Sequence, residues 1–149
     1  MDASAQRRDG GHDGEGQGHL IREAIARLTA LFEGRAWLVS KCGPRVQART
    51  LRWLDGHDFY ARTGLPRDQV RFCPTRAEKR PHCEELGLAH FVDDHPEVHA
   101  AIRGAVDCQY FFGPQQSPVP DWGIHAPTWA DAERLITASL AARELRLPY

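Results

Sequence analysis

Two adjacent carboxylates, Asp93 and Asp94, stand directly behind the apolar run Leu88–Val92. Side by side they repel, and each raises the other's pKa unless a cation or several donors hold them. Two other stretches could answer that charge. Ser40-Lys41 closes the short apolar segment 36–40, and Lys79 falls where a helix would begin. A carboxylate pair suits a hard divalent cation such as Mg²⁺, which takes few protein oxygens and keeps waters. A hydroxyl, an ammonium and Mg²⁺ together suit a phosphoryl group and the charge of its transfer.

The lysines carry extra weight because they are scarce. The chain has 17 arginines and two lysines, Lys41 and Lys79. A compact ammonium and a wide guanidinium fork are different tools. Positive charge in a first helical turn also opposes the helix dipole, so Lys79 sits where a lysine is not favoured for its own sake.

Each residue has a plainer use as well. Asp94 could cap the helix that Pro96 helps to start. Ser40 could bond the backbone of the loop that follows it, and Lys79 could be a solvated surface charge. His95 and His99, at i and i+4, with His82-Cys83 upstream, form a rival set that zinc could use. That set has no Cys-x-x-Cys to anchor it, so zinc is not expected. Cys83 and Cys108 read as packed thiols.

The elements that must position these groups follow from periodicity. Residues 2–18 hold five glycines and little apolar content, so residues 1–18 are expected to be a flexible tail. From Leu20 to Phe32 apolar residues recur at helical spacing, and Gly34 stops the helix. The segment 36–40 reads as a strand, and 43–56 as a helix with Pro44 near its start. A short helical piece at 58–64 precedes a strand at 69–73. The next helix is expected to open on a capping box of Thr75 and Glu78 and to end at Gly87. A strand at 88–92, a helix at 96–104 and a strand at 106–112 follow. A Pro-rich loop, 113–127, then leads to a last helix capped by Thr128 and Asp131.

Strands alternating with helices across short links predict an α/β fold. We expect a three-layer α/β/α Rossmann-like domain with a mostly parallel sheet of about four strands. In such a sheet, ligands bind outside the carboxyl ends of the strands. Ser40-Lys41, Lys79 and Asp93-Asp94 would all meet at that edge.

Bulk properties bound the rest. A chain of 149 residues with 42% hydrophobic and 26% charged residues is an ordinary globular domain, large enough for its own core. A formal net charge of −1 argues against nucleic-acid or membrane partners recruited by bulk charge. The sequence has no signal-type apolar region and no membrane-length run, and its four scattered cysteines fit reduced thiols. A cytoplasmic location is expected.

The order of the parts, a hydroxyl after one strand, a lysine in the next helix and an acid pair after the following strand, resembles the haloacid dehalogenase (HAD) superfamily. The likeness rests on `WLVSKCG`, `RAEKRPHCEELGLAHFVDDHPEV` and `YFFGPQ`, within roughly residues 20–136. Receiver domains use similar residues in a different order. The resemblance implies a capless HAD-like domain over residues 19–149, related to Mg²⁺-dependent phosphohydrolases that work through an aspartyl-phosphate. It implies that Ser40 and Lys79 serve catalysis, that Ser40, Lys41 and Lys79 hold phosphate, and that Asp93 and Asp94 bind Mg²⁺. Its implied partner is a phosphorylated substrate or anion.

One part is missing. The family begins with a strand ending in Asp-x-Asp, whose first aspartate is the nucleophile, and this sequence contains no Asp-x-Asp. The expectation is therefore an inactive or N-terminally shortened relative, or a non-catalytic binding domain. Without the first family strand, the strands ending at Ser40 and Asp93 would lack a neighbour between them. That exposed edge predicts low stability or a homodimer.

Overall fold

The protein is described from a computed structural model that covers residues 2–3 and 14–144. The sequence alternation becomes a mixed α/β fold. Strand β1 is Asp2–Ala3, helix α1 is Gly14–Leu31, β2 is Leu38–Lys41 and α2 is Pro44–Gly56. Then come α3 (Phe59–Thr63), β3 (Val70–Cys73), α4 (Lys79–Leu86), β4 (His90–Asp93) and α5 (Pro96–Ile102). Strands β5 (Cys108–Phe112) and β6 (Ile124–Ala126) and helix α6 (Trp129–Glu144) complete the described chain.

All strand pairs run parallel. One ladder joins β2 to β3, with Ser40 opposite Phe72. The other runs β1-β4-β5-β6, with Asp93 opposite Phe111. Every residue of β4 is buried, the mark of a parallel strand covered on both faces.

Alternation along the strands divides the core in two. Leu38, Val92, Tyr110 and Ala126 point to the face covered by α1, α3 and α6, where they meet Ile25, Leu28, Phe59 and Ile136. Val39 and Phe91 point the other way, onto Cys83 of α4 and Val98 and Ile102 of α5. The period of two that sends neighbouring side chains to opposite faces thus builds both clusters from the same few strands.

Several expectations are corrected. Helix α1 begins at Gly14, inside the stretch expected to be a tail, and Asp2–Ala3 forms a strand where none was expected before Leu20. Residues 4–13 lie outside the described residues. Strand β1 pairs with β4, Asp2 opposite Phe91 and Ala3 opposite Val92, so the edge of β4 is partly covered by two residues. Strand β6 lies in the stretch expected to be a Pro-rich loop. It is only three residues long, too short to show alternation.

Helix α4 starts later than its sequence suggested. Residues 74–78 are turns and bends, no side chain caps the helix, and Lys79 is its first residue. Gly87 closes it in the left-handed conformation at φ +61°, its N–H bonding the Cys83 carbonyl, as expected. The expected cap of α6 forms: the Asp131 N–H donates to Thr128 Oγ1 at 3.2 Å, and that hydroxyl donates to the Asp131 carboxylate at 2.9 Å.

Candidate functional site

Helix α4 delivers Lys79 and strand β4 delivers Asp93 to the carboxyl edge of the parallel strands. Lys79 Nζ donates to Asp93 Oδ2 at 2.8 Å, and both side chains have 0% exposure. Packing explains how the long stem is tolerated: the ammonium lies 5.9 Å from the centre of the Phe91 ring, and Cys83 one turn along α4 is fully buried.

The other oxygen of Asp93 is also in use. Oδ1 accepts the backbone N–H of His95 at 2.8 Å and lies 3.3 Å from His95 Nδ1. His95 Nδ1 is in turn 2.6 Å from Asp94 Oδ1. The two carboxylates therefore share a histidine on one side, while Asp93 also holds the lysine on the other.

Asp94 does not cap α5. The N-cap position belongs to His95, with no side-chain cap bond, and the turn is instead closed by Asp93 through the His95 N–H. A carboxylate two residues before the N-cap residue accepts that residue's N–H, as an Asx turn does. Asp94 is left half-buried, and its backbone carbonyl accepts Gln115 Nε2 at 3.1 Å from the loop after β5.

Charge states follow from this wiring. Burial alone would push the Asp93 carboxyl up, but the His95 hydrogen bond, the Lys79 ammonium and the His95 N–H outweigh it and hold the pKa well below the carboxylate range. The hydrogen bond to Asp93 raises the His95 pKa against its partial burial, and the nearby Asp94 charge adds to that rise.

A layer below, His99 steadies the same aspartate through its backbone. His99 Nε2 is 2.8 Å from the Asp93 carbonyl, and Gln109 Nε2 reaches His99 Nδ1 at 3.2 Å and the His99 carbonyl at 2.9 Å. The His99 ring stacks on Phe111 with centres 3.9 Å apart. Burial lowers the His99 pKa, which keeps the ring neutral, with Nε2–H as donor to the carbonyl.

The residues singled out in the sequence are thus placed unequally. Lys79, Asp93 and Asp94 come together. Ser40 and Lys41 end β2 on the same edge, Ser40 half-buried and Lys41 exposed, with the Ser40 carbonyl 3.8 Å from the Cys73 thiol. Among the described residues, no hydrogen bond joins either of them to Lys79 or Asp93. Sequence reasoning treated His95 and His99 only as zinc candidates, and it missed Gln109 entirely. The signal for His95 was its place directly after two acids, where a histidine serves as their shared counter-charge.

Among the described residues, Asp93, Asp94 and His95 form one group whose ligand atoms all lie within 4.8 Å of one another. The rival histidine–cysteine set does not assemble: His82 Nδ1 lies 3.4 Å from Arg71 Nη1, and His99 is taken up by Asp93 and Gln109. Two carboxylates and one imidazole are ligand types that divalent cations take, without singling out one metal. A carboxylate offers about four lone-pair sites, so the bonds already made leave capacity on both.

No protein family and no curated protein matches the chain.

Proposed function

We propose that the chain is a HAD-like domain, related to Mg²⁺-dependent phosphohydrolases, that binds a phosphoryl anion with Mg²⁺ and does not form an aspartyl-phosphate. On this reading the two ladders are parts of one three-layer α/β/α Rossmann-like sandwich. The observation that carries it is the pairing of Lys79 with Asp93 beside Asp94 at the carboxyl edge of parallel strands. An ammonium and two carboxylates there can hold a cation and an anion together, as transfer of a phosphoryl group requires.

Asp93 and Asp94 would hold the metal, Lys79 would face the phosphoryl oxygens, and Ser40 and Lys41 would approach from the end of β2. Bound Mg²⁺ would supply charge neutralisation to the phosphoryl oxygens. The chain supplies no Asp-x-Asp, so no carboxylate takes the role of covalent acceptor. Phosphate esters would be held and polarised without being cleaved through an aspartyl-phosphate.

A second reading is favoured by one observation. The Lys79–Asp93 pair has 0% exposure, which suits a fixed structural link in a non-catalytic interaction domain. Mn²⁺ titration followed by electron paramagnetic resonance separates the two. Binding that Asp94→Asn abolishes supports the metal site, and a chain that takes up no Mn²⁺ favours the interaction domain.

A further inference from the structure

Helix α2 buries one residue, Leu54, and turns most of its surface to solvent. Arg45, Arg49 and Arg52 are all exposed on it. Their spacing of i, i+4 and i+7 puts them in one row, and at about 100° per residue that row lies opposite Leu54. Like charges three and four residues apart on a helix destabilise it, so such a row is usually interleaved with acids. Here it is not.

Five arginines elsewhere show the usual pattern, while the exposed Arg62 and Arg103 stand singly and form no row. Arg27 pairs with Glu133, Arg71 with Glu85, Arg76 with Glu97, Arg80 with Glu84 and Arg134 with Asp131. The acid on α2 itself, Asp55, is taken by Arg67 from the segment after α3. None of the described carboxylates pairs with Arg45, Arg49 or Arg52. Lys41, exposed at the end of β2, precedes the first of them by four residues.

We infer that the Arg45–Arg49–Arg52 row of α2 is a docking surface for the phosphate backbone of single-stranded nucleic acid. Guanidinium forks match phosphate oxygens two at a time, and a single file of cations matches a single file of phosphates. The row spans about 10 Å along the helix, from a rise of about 1.5 Å per residue. The exposed apolar residues of α2, Val46 and Leu51, fall to either side of the row and not within it. A protein partner would need an apolar patch at the centre of its contact, whereas a phosphate backbone needs only the charge. The net charge of −1 does not oppose this, because binding depends on the local field of the row and not on the sum over the chain.

The inference stands on α2 alone and is independent of the phosphoryl reading of the Lys79–Asp93 site. It is tested with the full chain by fluorescence anisotropy of a labelled, unphosphorylated single-stranded DNA oligomer across a salt series. The expected slope of log affinity against log salt is about −2, from roughly −0.7 per phosphate contacted. The triple variant Arg45→Gln/Arg49→Gln/Arg52→Gln is expected to lose nearly all of that salt-dependent binding. The charge-matched control Arg27→Gln/Arg71→Gln/Arg134→Gln is expected to retain it, with circular dichroism confirming that both variants are folded. A wild-type chain that does not bind, a control as weak as the α2 variant, or poly-glutamate binding as tightly as the oligomer would each overturn the proposal. Adding a 5′-phosphate to the oligomer addresses the other site separately. Unchanged affinity there, with the row intact, supports the docking surface and counts against the phosphoryl reading alone.

Discussion

Lys79 and Asp93, fourteen residues apart in sequence, form a 2.8 Å ion pair with no exposed surface on either side chain. A pair taken wholly out of water costs desolvation on both partners, and it contributes only when the geometry satisfies the remaining bonds. Asp93 meets that condition through the His95 N–H and side chain.

Breaking the pair from one side leaves the other charge buried. Lys79→Met is expected to destabilise the fold by about 3–5 kcal/mol, and Asp93→Leu by a similar amount. The double variant is expected to recover much of the loss, because an apolar pair replaces an ionic one. Chemical denaturation of the four proteins measures the coupling, and simple additivity would show that the two residues do not act as a unit.

Stability should also respond to pH through His95. Its pKa is raised in the folded protein by Asp93 and then Asp94, so the protonated ring binds the native state more strongly. That stabilisation is full below the unfolded value of about 6.5 and is lost as pH rises through the higher folded value. His99 acts in the opposite sense: its lowered pKa costs stability as pH falls below about 6.5, where the unfolded ring takes up a proton. In His95→Gln the decline on the alkaline side should flatten while the acid-side decline remains. Denaturation midpoints across the neutral range, compared with wild type, give the answer.

Much of this architecture was legible in the sequence because it rests on repeated signals. The apolar spacing of α1, Pro44 at the start of α2, Gly87 after α4 and the Thr128–Asp131 cap each carry a local physical cause. What was not legible depended on distant partners. Thr75 and Glu78 match a capping box, yet the chain turns at 74–78 and starts its helix at Lys79, where the contact with Asp93 lies. Strand β6 exists because it pairs with Tyr110, Phe111 and Phe112, which its own three residues cannot announce. Likewise Asp94 looked like the cap of α5, and only the fold shows Asp93 taking the His95 N–H. Gln109 has no motif at all, since its bonds to His99 join two elements.

Phe111 links the loop before β6 to this site, and the link can be tested from a distance. A Cβ added at Gly123 would lie 2.4 Å from Phe111 Cε2 and 2.8 Å from Cδ2. The ring cannot retreat freely because it stacks on His99. Gly123→Ala is expected to cost about 1–3 kcal/mol by overpacking. A melting temperature equal to wild type would show that the ring is not held.

Mg²⁺ should stabilise the native chain by mass action if Asp93 and Asp94 hold it. Asp94 is the better residue to change, being half-buried and outside the lysine pair. Wild type is expected to melt higher in millimolar Mg²⁺, and Asp94→Asn is expected to show no rise. Equal shifts in the two proteins would remove the carboxylates from the metal site.

On the proposed reading no aspartate accepts the phosphoryl group, so generic phosphate monoesters and Mg²⁺ should give no turnover above the reaction in water. Acid quenching should likewise trap no phosphorylated protein. Hydrolysis that disappears in Lys79→Gln would show that another group serves as acceptor.

The central claim, that Lys79 and the carboxylate pair hold a phosphoryl anion with Mg²⁺, is tested most directly by calorimetric titration of inorganic phosphate into the full chain. Binding is expected with Mg²⁺ present, with loss of signal on chelation and in Asp94→Asn. No heat of binding in the presence of Mg²⁺, or equal binding by wild type and Asp94→Asn, would contradict it.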